Sequence, residues 1–146
     1  MAAQPTPIEP PGRGLLEGKR VVITAAAGTG IGGALARRCL LEGATIVVSD
    51  AHERRIGETA DALGEEFGER PPAVVCNVTD DADVRGLVST AMTTMGGIDV
   101  WMNNAGLGGN GLVTELTDDQ WSKVLDVTLT GTFRCLRAVL PHMYER

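Results

Sequence analysis

The sequence predicts an α/β fold built on a doubly wound parallel sheet with the strand order 3-2-1-4. Short runs rich in Val and Ile alternate with longer runs whose apolar residues recur at helical spacing. A glycine-rich turn follows the first short run, and polar residues end the second and the fourth. Such alternation produces right-handed crossovers between parallel strands, and ligands of these sheets bind beyond the carboxyl ends of the strands.

The predicted strands are β-branched runs without polar alternation, which suits a sheet covered on both faces. They span 20–25, 44–50, 73–78 and 98–103. The predicted helices span 31–42, 52–67, 80–95 and 117 to the chain end. Gly43 and Gly68 end the first two helices, and Thr117 with Gln120 fits a capping box that opens the last one.

Bulk properties exclude several classes of protein. Residues 1–14, with Pro5, Pro7, Pro10 and Pro11, are predicted to be a disordered tail, and residues 15–146 a single domain. A net charge of −6 argues against a nucleic-acid surface, and no apolar stretch reaches the length of a membrane span. The three cysteines show no metal-ligand spacing, so we expect no metal site and reduced thiols in the cytoplasm.

The stretch Gly28-Thr29-Gly30-Ile31 begins a GxGxxG pattern completed by Gly33, between a predicted strand and a predicted helix. Glycines there permit a tight turn and close approach of backbone to a pyrophosphate, whose charge the helix N-terminus stabilises. A glycine-rich turn alone would explain the pattern, but the strand–turn–helix context favours a Rossmann-type dinucleotide site. No GK[ST] follows, which argues against a P-loop.

Asp50 ends the second predicted strand about 20 residues beyond the glycines, where an acidic residue binds the ribose hydroxyls. A solvated aspartate at a strand end is the alternative interpretation. The negative charge of Asp50 would repel the 2′-phosphate of NADP, so the predicted cofactor is NAD. Arg54 and Arg55 lie close enough in sequence to keep NADP open as the alternative.

From about Leu16 to its end the chain resembles the short-chain dehydrogenase/reductase superfamily. The resemblance rests on Thr24 with the glycine run, Asp50, Asn77-Val78, Asn103-Asn104-Ala105-Gly106 and the stretch from Trp121 to Asp126. It implies an NAD-binding Rossmann domain over 15–146 with no metal. The implied cofactor-binding residues are Gly28, Thr29, Gly30, Ile31, Asp50, Asn77, Val78, Asn104, Ala105 and Gly106.

The stretch from Gly14 to Gly32 is similar to actinobacterial members of the family that reduce CoA-linked indane acids left by steroid breakdown. Three positions depart from the family pattern. Ala25 stands where the family has Gly, in a loop one residue longer, and Asn77 stands where Asp is usual. Thr128 stands where the family has an Asn whose main chain anchors an active-site water.

The family's catalytic Ser and Tyr-x-x-x-Lys do not occur in these 146 residues, since the single Tyr144 is followed by Glu145 and Arg146. No catalytic residue is therefore predicted, and the last predicted strand would form an open sheet edge. We expect the N-terminal portion of a protein of roughly 250 residues, incomplete at its C-terminus and inactive alone.

The resemblance implies hydride transfer between the nicotinamide cofactor and a small-molecule carbonyl/alcohol substrate. Two alternatives stay open: a non-catalytic NAD-binding module, and, with less support, an S-adenosylmethionine methyltransferase. The apolar last helix predicts a homodimer or homotetramer of the full-length protein, as is common in the family. Its apolar residues are Val124, Leu125, Val127, Leu129, Phe133, Leu136, Val139 and Leu140.

Overall fold

The computed structural model describes residues 9–109 and 111–145. The strands are β1 (Arg20–Ile23), β2 (Thr45–Asp50), β3 (Ala73–Val75) and β4 (Val100–Met102). The helices are α1 (Ile31–Leu41), α2 (Glu53–Phe67), α3 (Asp81–Met95), α4 (Asp118–Leu125) and α5 (Gly131–Tyr144). A π-helical turn, Asp126–Thr130, joins α4 to α5.

The four strands form one parallel sheet in the order β3-β2-β1-β4, which confirms the predicted topology. Successive residues of β1 face opposite sides. Val21 and Ile23 belong to the core shared with α1 and α2, whereas Val22 belongs to the core shared with α3 and α5. All three side chains are fully buried, because helices cover both faces. This explains why β1 shows no polar alternation in the sequence.

The outer strands are shorter than predicted. β3 ends at Val75 rather than at residue 78, and β4 covers 100–102 rather than 98–103. Each pairs with a neighbour on one side only in the described sheet, and their residues are half-buried or, for Val75, exposed. Beyond β3, Asn77 accepts hydrogen bonds from Thr79 and begins a turn, so the chain leaves the sheet there.

The predicted last helix starts where expected and contains a π-helical turn. Thr117 and Gln120 form the reciprocal capping box, which confirms the predicted start. The helical backbone continues from α4 through the π-helical turn at Asp126–Thr130 into α5, because the residues at both junctions keep right-handed helical dihedral angles. Two contacts fix the chain there. Thr128 bonds the backbone of Leu107, and a Cβ added to Gly131 would lie 2.7 Å from Cγ2 of Val78.

Residues 1–8 of the predicted tail lie outside the described residues, and the remainder contacts α1. Glu9 forms ion pairs with Arg37 and Arg38. The backbone N–H groups of Arg13 and Leu15 donate to Oε2 of Glu42 over 2.9 and 3.1 Å. Through these bonds the segment preceding β1 is held against the C-terminal end of α1.

Glu42 gives the fold a pH dependence. The N–H groups of Arg13 and Leu15, followed by Arg38, lower the pKa of its carboxyl from 4.5 to about 2. Because the pKa is lower in the folded chain, the Glu42 charge stabilises the fold at pH values above 4.5. This stabilisation is lost as the pH falls towards 2. We expect Glu42→Gln to lower the thermal midpoint at pH 7 by roughly 5 °C, and the difference to vanish near pH 2.

Thermal unfolding of the two proteins, followed by circular dichroism between pH 7 and pH 2, measures this difference. Glu58→Gln is the matched control, because Glu58 forms an exposed ion pair with Arg54 and should change the midpoint little. A deficit of Glu42→Gln that stays constant with pH would show that the Glu42 charge does not stabilise the fold.

Candidate cofactor site

The predicted site residues meet at the carboxyl ends of the strands. Gly28, Thr29 and Gly30 directly precede α1, and Ile31 is its first residue. All four residues are exposed, whereas residues 21–27 before them are almost all buried. Ile31 is 75% exposed, which is unusual for a large apolar side chain in the first turn of a helix. The four residues border the point between β1 and β4 where the strand order reverses.

A buried hydroxyl connects the two strands that flank this point. Oγ1 of Thr24 donates to the carbonyl of Met102 over 3.2 Å. It accepts from the N–H groups of Asn104 and Ala105 over 3.0 and 3.1 Å. The sequence indicated Thr24 only as part of the glycine motif and predicted no role for it. The signal that could have identified it is a hydroxyl residue directly after an apolar central strand.

Asn104 holds the glycine-rich loop in place. Its Nδ2 donates to the carbonyls of Thr24 and Ala25 over 3.1 and 3.0 Å. The side-chain amide of Asn104 thus satisfies two backbone carbonyls of the loop. Asn103 differs, because its Oδ1 accepts from Nε1 of Trp101. Both hydrogen bonds donated by Nδ2 of Asn104 therefore bind carbonyls of the loop backbone and fix its conformation.

Ala25 has a left-handed backbone with φ of 51°, so the position keeps the conformation that favours glycine. A left-handed alanine costs roughly 1–2 kcal/mol in backbone strain. Because glycine loses more backbone entropy on folding, we expect Ala25→Gly to raise the free energy of unfolding by about 0.5–1 kcal/mol. Urea denaturation of both proteins measures this difference, and a lower free energy for the glycine variant would contradict it.

The glycines of the loop serve two different purposes. A Cβ on Gly32 would lie 2.2 Å from the carbonyl oxygen of Ala25, and one on Gly33 would lie 2.0 Å from that of Gly28. These two glycines allow α1 to approach the loop closely. A Cβ on Gly30 would meet nothing within 4 Å, so the packing of the chain does not require glycine there. The open space instead lies beside the first turn of α1, and the N-terminus of a helix favours negatively charged groups.

Asp50 is oriented by the same loop. Its Oδ1 accepts from the N–H of His52 over 3.0 Å, and its Oδ2 accepts from the N–H of Ala27 over 3.3 Å. The carboxylate is half-buried at the end of β2, and it contacts Ala27, the residue that precedes Gly28 in the loop. This is the position at which a Rossmann-type site binds ribose hydroxyls.

The longer loop is supported by α2. The N–H of Gly28, whose φ is +80°, donates to Oγ1 of Thr59 over 2.8 Å. Thr59 in turn donates to the carbonyl of Arg55 over 2.9 Å. The sequence did not predict a role for Thr59, because a threonine in the middle of a polar helix carries no distinctive pattern.

Asn77 and Val78 differ in their surroundings. Oδ1 of Asn77 accepts from both the N–H and the hydroxyl of Thr79, over 3.1 and 2.9 Å. A cofactor group that donated a hydrogen bond to this oxygen would have to compete with them. Val78 is buried and packs against Gly131 at the start of α5.

Thr128 contacts the loop that follows β4. Its hydroxyl accepts from the N–H of Leu107 over 3.1 Å and lies 3.5 Å from the carbonyl oxygen of the same residue. Its Oγ1 is also 3.8 Å from the position of a Cβ on Gly106. The hydroxyl at this position thus binds protein backbone and fixes the start of the glycine-rich segment 106–109.

Over 9–109 and 111–145, no cluster of three or more His, Cys, Asp or Glu side chains has the arrangement of a metal site. Within the same ranges no helix combines the length and the apolar character needed to cross a bilayer. The chemical groups at the site are backbone N–H groups, hydroxyls, an amide and the carboxylate of Asp50. This donor set fits a dinucleotide.

Comparisons with known proteins point to one family. Residues 19–146 match the short chain dehydrogenase family. Over 139 residues the chain is 56% identical to a Mycobacterium tuberculosis protein, (5R,7aS)-5-hydroxy-7a-methyl-1-oxo-2,3,5,6,7,7a-hexahydro-1H-indene-carboxyl-CoA reductase. The match covers 95% of this chain and 53% of that protein. The chain spans about half the length of the curated relatives it matches.

Solved structures agree with this comparison. A short chain dehydrogenase from Mycobacterium smegmatis superposes with a TM-score of 0.93 at 50% identity, over 97% of this chain and 59% of that one. L-Sorbose reductase from Gluconobacter frateurii, solved with NADPH and L-sorbose, gives a TM-score of 0.81 at 33% identity. That match covers 90% of this chain and 49% of the other. With its fold, its strand-end residues and its relatives in agreement, the chain belongs to the short-chain dehydrogenase/reductase family.

Proposed function

We propose that this chain carries the cofactor-binding half of an NAD-dependent oxidoreductase that interconverts a carbonyl and an alcohol. The observation that carries the proposal is the exposure of residues Gly28 to Ile31, beside open space at the N-terminus of α1. In such an enzyme the nicotinamide supplies or accepts the hydride. The residues of this chain bind and orient the dinucleotide.

Each part of the proposed site has a distinct task. The backbone at Gly30 and Ile31, with the positive end of the α1 dipole, stabilises the pyrophosphate. Asp50 accepts hydrogen bonds from the ribose hydroxyls. Asn104 and Thr24 hold the loop and the end of β4 at a fixed separation, so that the dinucleotide meets a preformed surface.

Calorimetric titration of the chain with NAD tests the proposal, with S-adenosylmethionine as the control ligand. We expect heat of binding with NAD and none with the methyl donor. Binding of the methyl donor alone would favour the methyltransferase, which also places a glycine-rich loop and an acidic strand end at its ligand. Binding of neither would refute a dinucleotide site.

The proposed preference for NAD over NADP depends on Asp50. We expect Asp50→Asn to weaken NAD binding about tenfold, because a hydrogen bond to a charged acceptor contributes about 1.5–3 kcal/mol. NADP binding should weaken less or improve, since the repelling charge is removed. Titrations with both cofactors measure the ratio, and Asp61→Asn, an exposed aspartate paired with Arg70, is the control. Equal losses for both cofactors would contradict the assignment.

We further propose a CoA-linked, steroid-derived acid as substrate class, supported by the 56% identity to the Mycobacterium tuberculosis reductase. The alternative is a non-catalytic NAD-binding module. The reading frame beyond Arg146 discriminates the two, since a catalytic protein needs the family's Ser and Tyr-x-x-x-Lys. Reduction of the indene-carboxyl-CoA ester by the product of the complete reading frame tests the substrate class directly.

We also propose a homodimer or homotetramer for the complete protein, located in the cytoplasm. Leu129, Phe133 and Leu136, in the π-helical turn and α5, are 65%, 56% and 38% exposed. Apolar surface of this kind is typical of an interface. A monomeric sedimentation profile of the complete protein would refute the oligomer.

The proposed cytoplasmic location is supported by the cysteines. All three are free and buried, which suits a reducing compartment.

A further inference from the structure

The segment that precedes β1 runs along α1 towards the glycine-rich loop. A Cβ on Gly12 would lie 2.0 Å from the carbonyl oxygen of Leu41, so the two backbones are in contact there. Nη1 of Arg38 donates to the carbonyl of Pro10 over 2.7 Å. As the residue number falls along this segment, its contacts on α1 therefore move towards the N-terminus of the helix.

Glu9 lies where this segment reaches the space between α1 and α2. Its carboxylate forms an ion pair with Arg37 of α1. Nε of Arg37 donates to Glu66 of α2 over 2.8 Å, and its guanidinium carbon lies 6.0 Å from the centre of the Phe67 ring. The three charged side chains thus join the segment to both helices at the first described residue of the chain.

A groove of about 290 Å³ leads from this point to the glycine-rich loop. Arg37 and Glu66 line it at one end, and Gly28 and Thr29 line it at the other. Of the elements that the structure describes, only α1, α2 and the loop between β1 and α1 contribute to its lining. The groove therefore connects the ion pairs of Glu9 with the outer side of the loop.

The middle of the groove is lined by small or apolar residues. Gly33 and Ala34 form its α1 side, and Ala62 and Leu63 form its α2 side. Ala34 and Ala62 are exposed. Such a groove suits a narrow, uncharged chain, because a charged side chain would lose hydration there.

The eight residues that precede Glu9 suit this groove in length and composition. From Arg37 back to Gly30, α1 spans about 10 Å, a distance that about three or four extended residues cover. The sequence MAAQPTPI contains no charged side chain. Pro7 and Ile8, directly before Glu9, would meet the apolar middle of the groove. The two prolines of this sequence restrict the unbound chain and so lower the entropy lost on binding.

We propose that residues 1–8 bind in the groove between α1 and α2 and hold the outer side of the glycine-rich loop. The course of the segment, its ion pairs at Glu9 and its uncharged composition favour this occupant over a second copy of the chain. The proposal departs from the disordered tail that the composition alone predicts. The loop would be held on both sides, because Asn104 bonds its carbonyls at the end of β4.

A nitroxide spin label attached to the Gln4→Cys variant tests where the segment lies. The native thiols are buried, so the label reacts at position 4. NMR spectra of the full chain with the label oxidised and reduced give the signal loss at each backbone amide. We expect the strongest loss at Gly28 and Thr29, since five extended residues reach about 16 Å beyond Glu9. Strongest loss around Glu42, or an even loss over the surface, would overturn the proposal.

A substitution in the groove should displace the segment. Ala62→Glu places a carboxylate in its apolar middle, so we expect the signal loss at Gly28 and Thr29 to disappear. Ala82→Glu is the matched control, because it makes the same change at an exposed position of α3, on the other face of the sheet. It should leave the signal loss unchanged. A labelled Ala62→Glu protein that keeps the loss at the loop would contradict binding in the groove.

The effect on the cofactor site is measured separately and rests on the proposed function. Deletion of residues 2–8 should weaken NAD binding about threefold in calorimetric titrations, because the loop loses its outer support. Unchanged NAD affinity would overturn the part of the segment in holding the loop. Absence of NAD binding by the unmodified chain would instead refute the proposed function, and the spin-label result would still decide where the segment lies.

Discussion

Gly32→Ala is expected to lower the free energy of unfolding by about 3 kcal/mol and to abolish dinucleotide binding. The added Cβ would lie 2.2 Å from the carbonyl oxygen of Ala25 and 2.7 Å from Nδ2 of Asn104. Neither neighbour can move independently, because Nδ2 of Asn104 donates to that same carbonyl. Relief of the clash would require α1 to shift away from the loop, which would separate the glycine-rich turn from the end of β4.

Urea denaturation and NAD titration of the variant measure the two effects. Gly86→Ala is the matched control: it makes the same change in a helix, α3, at a position where a Cβ meets nothing within 4 Å. Alanine is the better helix former there, so the control should gain about 0.5–1 kcal/mol. Equal stability of the Gly32 and Gly86 variants would show that the close approach of α1 to Ala25 is not required.

The elements that were easiest to predict are those whose signal lies within a few consecutive residues. β1 and β2 are covered on both faces, so their β-branched runs are continuous and easily recognised. The capping box at Thr117 is equally local, because its two partners are three residues apart. Parallel strands joined by helices then restrict the strand order to very few arrangements, which is why the topology was also predictable.

The contacts that the sequence did not predict join residues far apart in the chain. The hydroxyl of Thr24 bonds residues 104 and 105, 80 and 81 positions away, and Thr128 bonds Leu107, 21 positions away. Such pairs leave no periodic trace, and each partner alone is an ordinary polar residue. The π-helical turn at Asp126–Thr130 falls in the same class, since one of its residues makes the Leu107 contact.

The glycine motif shows the same contrast between what local sequence predicts and what three-dimensional contacts determine. Its pattern identified Gly28, Gly30 and Gly33 alike, because GxGxxG does not record what surrounds each residue. In the structure Gly33 and Gly32 are required by packing within the protein, whereas Gly30 faces open space. Local sequence therefore located the loop, and the three-dimensional contacts distinguish the glycines needed for folding from the one available to a ligand.

That distinction leads to the second large effect: Gly30→Val should reduce NAD affinity by at least about 100-fold and lower the free energy of unfolding by no more than about 1 kcal/mol. The backbone of Gly30, with φ of −77° and ψ of −168°, is extended and suits a β-branched residue. A Cβ there meets no protein atom within 4 Å, so the fold tolerates it. The valine methyl groups would instead occupy the space in front of the first turn of α1, where the pyrophosphate is proposed to bind.

Calorimetric titration with NAD and urea denaturation of Gly30→Val, with Gly86→Val as the size-matched control, measure both quantities. The control should bind NAD normally, because α3 lies on the opposite face of the sheet from α1. Undiminished NAD binding by Gly30→Val would place the dinucleotide elsewhere. Gly32→Ala should lose stability and binding together, whereas Gly30→Val should lose binding while remaining folded. Only a ligand resting on the backbone at Gly30 accounts for both results, because the protein itself makes no use of the space above that residue.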